Sequence, residues 1–288
     1  MKNLLITGSS GFIGSYCADN FEKHNYNIYC ISSKNNKAFN KKNFLKKTFE
    51  VSKIRNFIKK NKINYVLLSH GSTNHVRDFN KIYKDHFLFT KLIIENLDLK
   101  YLKKIIFLST GDEYGHVKKL PIKEDFCCRP NSNYSLVKNI TTNFLINYFH
   151  KKKVSVIVLR LFLIFGKNQR LPRLIPLLKD TLKKNRTFHI NSLTQKKDLC
   201  HISDLYKVLS IIFLHKTTIK DIFNFGSGYQ ISIKQVINIV EKKYNKKIKV
   251  KFDNKNAIKN SFSFYPDITK LKKIFKISSF KRLSSDLF

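Results

Sequence analysis

Along the first part of the chain, short apolar runs alternate with segments whose apolar residues recur at helical spacing. The runs, which predict buried strands, are residues 3–7, 27–31, 65–69, 105–108 and 154–159. The segments between them predict helices ending near residue 23, near residues 51–60 and 80–96, and one further helix that contains Tyr134 and Lys138. Strands that alternate with helices in this order predict a parallel sheet with helices on both faces.

After Gly166 the alternation loosens and the elements become shorter. Helices are predicted near 174–184, from 203 onward and near 233–243, and strands near 188–190, 198–201, 223–225 and 248–252. We expect residues 1–165 to form one domain and residues 166–288 mostly a second, smaller and interleaved lobe, with 221–228 returning to the main sheet. A ligand is expected at the carboxyl ends of the parallel strands.

A glycine-rich turn follows the first predicted strand directly. Gly8, Gly11 and Gly14 stand at the spacing that permits a tight turn, close approach of the backbone to a pyrophosphate, and close packing of helix on strand. The helix N-terminus, which includes Phe12 and Ile13, supplies free N–H groups and the positive end of the helix dipole. The motif predicts a dinucleotide site, and with the alternating elements it predicts a Rossmann-type, doubly wound α/β fold.

The end of the second predicted strand bears on which dinucleotide binds. An acidic residue there would bond the ribose 2′-hydroxyl of NAD, whereas basic or hydroxyl groups suit the 2′-phosphate of NADP. The strand ends in Ser32, Ser33 and Lys34, with no acid. Ser33 and Lys34 therefore favour NADP over NAD, although lysine is common throughout this chain.

Tyr134 and Lys138 share one face of their predicted helix, because residues four apart are neighbours on a helix surface. A nearby cation favours the phenolate, which would make Tyr134 a usable acid or base near neutrality. The same spacing occurs at Tyr114 and Tyr148. Only Tyr134 also follows, by a plausible loop, an apolar strand that ends in hydroxyl residues, the second of which is Thr110.

The net charge of +37 is the outlier of the composition. A basic surface attracts nucleic acid, anionic membranes and anionic substrates. Only eight of the 56 basic residues are arginine, and the lysines are scattered along the whole chain. We therefore expect no specific nucleic-acid binding, although a basic nucleic-acid or membrane-surface protein remains an alternative.

Other features argue against secretion, membrane insertion and metal binding. The five cysteines show no Cys-x-x-Cys spacing and the nine histidines no metal-ligand spacing. No apolar run approaches the ~20 residues that a membrane span needs, and the N-terminal apolar run is too short for a secretory signal. We expect a cytoplasmic protein without disulfides or metal, and leave open whether it is a homodimer.

Several motifs, taken in order, resemble the extended short-chain dehydrogenase/reductase family in its nucleotide-sugar epimerase, dehydratase and reductase branch. The glycine turn, the Tyr-x-x-x-Lys pair with Pro130 before it, and the hydroxyl-bearing strand end followed by Tyr114-Gly115 all fit. The Leu159-Arg160 pair, the run Gln195–Asp198 and the run Phe223–Gly228 fit as well. Each motif is weak alone, but their order and spacing make the set specific.

The resemblance implies a catalytic role for the motif residues. Tyr134 would exchange a proton with a sugar hydroxyl, usually at C4, while the nicotinamide exchanges hydride. Lys138 would hold the nicotinamide ribose and lower the pKa of Tyr134, and Thr110 would bond the sugar oxygen. For Thr110 the alternative is a strand-end hydroxyl that bonds its own backbone.

Two departures from the family pattern concern the substrate. Relatives that dehydrate at C5–C6 carry Glu as the carbon base where this chain has the shorter Asp112, which puts dehydration in doubt. The family's Asn that helps to hold the substrate diphosphate is Leu163 here. Arg173 and Lys197 are the candidate replacements, with solvated surface charges as their alternative.

The resemblance therefore predicts an NAD(P)-dependent enzyme that transfers hydride at C4 of a nucleotide-activated hexose, as a 4-keto-sugar reductase or a 4-epimerase. A nucleotide-sugar 4,6-dehydratase is the first alternative. A dinucleotide-sensing module without catalysis is the second, but such a module need not retain Tyr134, Lys138 and Thr110 together.

Overall fold

The structure is a computed structural model that describes residues 2–34, 43–73, 78–252, 262–284 and 286. Backbone contacts divide the chain into two compact units. The first comprises Met1–Gly115, Cys127–Leu161 and Leu209–Phe223. The second comprises His116–Phe126, Phe162–Val208 and Asn224–Phe288. The chain therefore enters each unit more than once.

Within the described residues, strands and helices alternate closely along the chain. The strands are β1 (Lys2–Thr7), β2 (Tyr26–Ser32), β3 (Phe44–Lys46), β4 (Tyr65–Leu68), β5 (Lys104–Thr110), β6 (Ser155–Leu161), β7 (Leu163–Phe165), β8 (Thr187–Ile190), β9 (Lys196–His201), β10 (Lys220–Phe225), β11 (Gln230–Ser232) and β12 (Lys249–Phe252). The α-helices are α1 (Phe12–Glu22), α2 (Val51–Lys60), α3 (Phe79–Tyr83), α4 (Phe89–Glu95), α5 (Asn133–Phe149), α6 (Leu174–Lys183), α7 (Ile202–Leu214), α8 (Ile233–Tyr244) and α9 (Thr269–Phe275).

The large sheet has the strand order β10-β6-β5-β4-β1-β2-β3. The pairings of β1 with β2 and β4, of β2 with β3, and of β5 with β4 and β6 are parallel. The order runs outward from β1 in both directions, as in a doubly wound sheet. All seven residues of β5 and of β6 are buried, which agrees with strands at the centre of a sheet.

Both faces of this sheet are covered. Leu5, Val66 and Ile105 pack on one face with residues of α2, α4 and α5. Since side chains alternate along a strand, the equally buried Leu4 and Ile6 point to the other face. The predicted α/β fold of the Rossmann type is confirmed.

The second unit contains two small sheets, ordered β11-β9-β7 and β12-β8. Its core joins α6 and α8, where Leu178, Val236 and Val240 are completely buried. That residues 1–165 bind the dinucleotide and residues 166–288 mostly bind the substrate stays a prediction. Within the described part of the chain, no helix is both long and apolar enough to cross a bilayer.

Candidate functional site

The glycine turn between β1 and α1 has the geometry that only glycine permits. Gly8 has a φ of +73°, and a Cβ atom on it would lie 2.7 Å from the Cα of His70. A Cβ on Gly14 would lie 2.3 Å from the carbonyl oxygen of Gly8. The helix then begins at Phe12, and its N-cap residue Gly11 offers no side-chain acceptor to the first N–H groups. The turn and the helix end thus form a cradle suited to an anionic group such as a pyrophosphate.

The end of β2 presents the residues from which the cofactor preference was predicted. Ser33 and Lys34 are exposed. Ser32 is buried, and its hydroxyl donates to the carbonyl oxygen of Lys34 at 2.5 Å. No acidic residue occurs in the sequence between Glu22 and Glu50. The exposed side chains at this strand end are therefore polar and basic.

Helix α5 places Tyr134 and Lys138 together on its buried side. A capping box between Ser132 and Ser135 fixes the start of the helix just before Tyr134. Tyr134 is 7% exposed and Lys138 is 4% exposed. The Nζ of Lys138 lies 5.9 Å from the centroid of the Tyr134 ring. The two residues share one buried site, as their spacing predicts.

Lys138 also connects α5 to the central strand β5. Its Nζ donates to the carbonyl oxygen of Leu108 at 2.9 Å and lies 4.7 Å from the ring centroid of Phe107. Burial lowers the pKa of Lys138 to about 8, and the negative charge of Glu113 opposes that shift. The ammonium of Lys138 thus contacts β5 at Leu108, two residues before Thr110. Its pKa of about 8 brings its titration close to neutrality.

Thr110 and Asp112 interact within one turn. Thr110 ends β5 and caps the 3₁₀ turn Gly111–Tyr114, where its Oγ1 accepts from the backbone N–H of Asp112 at 3.2 Å. The same hydroxyl donates to Oδ2 of Asp112 at 3.1 Å. The Thr110 hydroxyl therefore bonds within its own turn, which is the alternative role considered from the sequence. A role toward a sugar oxygen stays a prediction.

Arg173 and Lys197 both lie in the second unit. Arg173 is the half-buried N-cap residue of α6. Lys197 lies in β9, where its Nζ donates to the carbonyl oxygen of Phe262 at 3.1 Å. The role of each residue toward a substrate diphosphate stays a prediction.

His86, which contacts Tyr134, and its neighbour His70 were not foreseen from the sequence. The π-helical turn Lys84–Leu88 sets the ring of His86 edge-on to the ring of Tyr134, at 5.6 Å between centroids. The neighbouring His70 is buried, with its Nδ1 2.6 Å from the hydroxyl of Thr7. Burial, followed by the nearby His86 and Lys138, lowers the pKa of His70 well below 6.5, so its ring is neutral. A π turn shifts the helical register by one residue, and no residue pattern marks that shift.

The buried ion pair between Glu113 and Arg160 was also not foreseen. Oε2 of Glu113 lies 3.0 Å from Nη2 of Arg160, and neither side chain is more than 4% exposed. The only signal in the sequence was an acid inside the run Ser109–Gly115 and an arginine inside an apolar strand. Among the described residues, no group of three or more His, Cys, Asp or Glu could hold a metal ion.

The first unit combines a glycine cradle at a helix N-terminus with a buried Tyr–Lys pair beside the carboxyl end of a parallel strand. These features define an α/β protein of the dinucleotide-binding class. Residues 4–226 match the model of the NAD dependent epimerase/dehydratase family. The chain belongs to this family, and the resemblance inferred from its motifs is confirmed.

Curated relatives and solved structures agree with this membership. A putative UDP-glucose 4-epimerase from Methanocaldococcus jannaschii is 27% identical, over 83% of this chain and 81% of the relative. A dTDP-4-dehydro-6-deoxyglucose reductase from Escherichia coli is 26% identical, over 88% of this chain and 85% of the relative. A UDP-glucuronic acid 4-epimerase from Bacillus cereus, solved in complex with NAD, has a TM-score of 0.85 and 21% identity, over 99% of this chain and 95% of that one. The structural likeness shows the common fold.

Proposed function

We propose that this chain is an enzyme that moves hydride to or from C4 of a nucleotide-activated hexose, as a 4-epimerase or a 4-keto-sugar reductase. The observation that carries the proposal is the buried pair of Tyr134 and Lys138 on α5, which lies against the end of β5. Family membership supports it, as do the relatives described by those two activities.

A nicotinamide dinucleotide fits the residues of the first unit. The cradle at Gly8 and Gly14 leaves no room for a Cβ atom, and its helix N-terminus suits the pyrophosphate. Gly11, Phe12 and Ile13 would contribute the backbone around it, and Lys138 would bond the nicotinamide ribose. When bound, the dinucleotide supplies the hydride acceptor or donor.

The side chains of this chain handle the proton. Tyr134 accepts the proton of the C4 hydroxyl during oxidation and returns it during reduction, acting as a general base and then a general acid. The ammonium of Lys138 favours the phenolate. Thr110 holds the sugar oxygen within reach of Tyr134. To do so, the Thr110 hydroxyl gives up its hydrogen bond to Asp112 and donates to the sugar oxygen instead.

The finer choice of cofactor rests on the end of β2. We propose a preference for NADP(H), because Ser33 and Lys34 are exposed there and the sequence from residue 23 to 49 contains no acid. This preference favours the reductase, which consumes its cofactor. The UDP-glucuronic acid 4-epimerase from Bacillus cereus was solved with NAD, which favours the epimerase.

A 4,6-dehydratase is the second candidate, because the family includes dehydratases and several relatives are described as dTDP-D-glucose 4,6-dehydratases. Against it stands Asp112, which is one methylene shorter than the Glu of dehydratases and already accepts a bond from Thr110. We therefore propose that Asp112 lies beside the sugar without supporting efficient removal of the C5 proton.

One assay separates these activities. The purified protein is incubated in deuterated water with UDP- and dTDP-linked hexoses and their 4-keto forms, with NAD, NADH, NADP or NADPH, and the products are analysed by NMR. We expect C4 epimers or reduced 4-keto sugars. Deuterium at C5 together with loss of water would instead establish the dehydratase. No turnover of any of these sugars, despite dinucleotide binding, would contradict the proposed function.

A further inference from the structure

Glu113 is a completely buried carboxylate that joins four elements of the first unit. It lies in the 3₁₀ turn after β5 and accepts from the hydroxyls of Ser109 and Thr142, the latter at 2.9 Å. It also accepts from Nδ2 of Asn139 at 3.2 Å and from Nε of Arg160 at 3.0 Å. Every one of these partners is a donor, an arrangement that suits the ionised carboxylate.

Stability alone does not explain such a group. Burial of two charges costs several kcal/mol per ion, and apolar replacements of a buried ion pair are often neutral or stabilising. A buried ion pair beside a proposed active site therefore suggests a role for the charge itself.

The partners of Glu113 surround the contacts of Lys138. Asn139 follows Lys138 directly, and Thr142 lies one turn further along the same helix. Ser109 stands between Leu108, whose carbonyl oxygen accepts from Lys138, and Thr110. The carboxylate therefore links the strand end that carries Thr110 to the helix that carries Tyr134 and Lys138.

The charge of Glu113 also acts on Lys138. Burial is the larger influence and lowers the pKa of Lys138 to about 8, while Glu113 acts in the opposite direction. His70, in the loop after β4, is neutral because burial and then the charges of His86 and Lys138 lower its pKa. Tyr134 lies on the same helix, and Arg160 of β6 contacts Glu113 from another side. Glu113 is thus the anion whose influence favours the ammonium form of Lys138.

We propose that Glu113 is a positioning residue of the active site, which ties the Thr110 turn to α5 and supplies the negative charge that keeps Lys138 protonated. This inference rests on the proposed function of Tyr134 and Lys138. Glu113 itself contacts neither the dinucleotide nor the sugar, and it acts through Lys138.

The test is the pH dependence of dinucleotide binding, measured for NAD and NADP by calorimetry between about pH 6 and 10. Because a charged donor makes the stronger hydrogen bond, the affinity of the native protein should fall as pH rises through about 8, where Lys138 loses its proton. In Glu113→Gln, which keeps the shape of the side chain, the fall should move to lower pH, because the opposite charge is gone.

Thr142→Val is the matched control. It removes one hydrogen bond from the same carboxylate without changing any charge, so it should lower stability and leave the pH of the fall unchanged. The inference would be overturned if the affinity of Glu113→Gln fell at the same pH as that of the native protein. It would also be overturned if the pH of the fall moved equally in Thr142→Val. Lys138→Met tests the underlying function separately. If the native fall persists in Lys138→Met, the assignment of Lys138 fails, whatever Glu113→Gln does.

Discussion

At the scale of single residues, the buried pair of Tyr134 and Lys138 on α5 lies near a second buried pair, Glu113 of the turn after β5 with Arg160 of β6. The spacing of Tyr134 and Lys138 carries information because a helix brings residues four apart onto one face. Glu113 and Arg160 are 47 positions apart and meet only because β5 and β6 are adjacent strands. A long-range contact between two charges leaves no periodic pattern, so the ion pair could not be predicted.

Lys34 lies at the end of β2, which is expected to face the adenosine ribose. Lys34→Asp should convert a preference for NADPH into a preference for NADH, because a carboxylate repels the 2′-phosphate and bonds a 2′-hydroxyl. Loss of one charge-assisted bond should weaken NADPH binding by about tenfold or more. Fluorescence titration of both cofactors measures the ratio.

Lys153→Asp is the control for Lys34→Asp, because it makes the same charge change at another exposed lysine. It should leave the ratio of the two affinities unaltered. If native protein binds NADPH no better than NADH, or if both variants behave alike, the assignment of Lys34 to the 2′-phosphate is wrong.

At the scale of elements, the long periodic segments and the four-residue strands β4, β8 and β12 were predicted, whereas the three-residue strands were missed. The helices α2, α6 and α8 and the buried strands of the large sheet follow their apolar patterns. Each of β3, β7 and β11 has only three residues, too few to establish a period. The helix predicted near residues 80–96 is interrupted by the π turn at Lys84–Leu88, because one extra residue per turn does not disturb the apolar pattern visibly.

The β1 turn and helix α1 form the element on which dinucleotide binding depends. Gly14→Ala would place a Cβ atom 2.3 Å from the backbone oxygen of Gly8, a contact that only a shift of the turn can relieve. We expect a loss of about 1–3 kcal/mol in the free energy of unfolding, as for other overpacked sites. Dinucleotide affinity should fall with it. Chemical denaturation and calorimetry measure the two effects.

Gly11→Ala is the matched control in the same turn. Its Cβ would lie 3.2 Å from the same oxygen, and the φ of −84° at this position is ordinary for any residue. The expected loss of stability and of affinity is clearly smaller than for Gly14→Ala. Equal effects of the two substitutions would show that the close approach at Gly14 does not shape the cradle.

At the scale of the whole molecule, the alternation of strands and helices was enough to predict the fold class. The order of the strands was not predicted, although right-handed crossovers leave few topologies for such a sheet. The assignment of separate chain segments to the two units could not be predicted. Residues 116–126 belong to the second unit although they precede α5, since membership depends on contacts distant in sequence.

The net charge of +37 is a property of the whole chain. A strongly positive protein attracts anionic ligands over long distances, and both the dinucleotide and a nucleotide sugar are anions. This charge is compatible with the proposed function but does not distinguish an epimerase from a reductase or a dehydratase. Evidence for catalysis must come from the buried pair of Tyr134 and Lys138.

The most direct measurement is turnover by Tyr134→Phe, on a sugar nucleotide that the native protein accepts. Removal of the phenolic oxygen should lower kcat by at least ~10²-fold, because general acid–base catalysis contributes about that much. The fold and the affinity for the dinucleotide should remain nearly intact.

Tyr148→Phe is the control on the same helix, where the Nζ of Lys152 lies 3.3 Å from the centroid of the Tyr148 ring and donates to the Tyr148 carbonyl oxygen. That pair lies at the carboxyl end of α5, and its loss should leave kcat close to the native value. We expect a large loss for Tyr134→Phe alone. Near-native turnover by Tyr134→Phe, or an equal loss in Tyr148→Phe, would contradict the catalytic role of Tyr134.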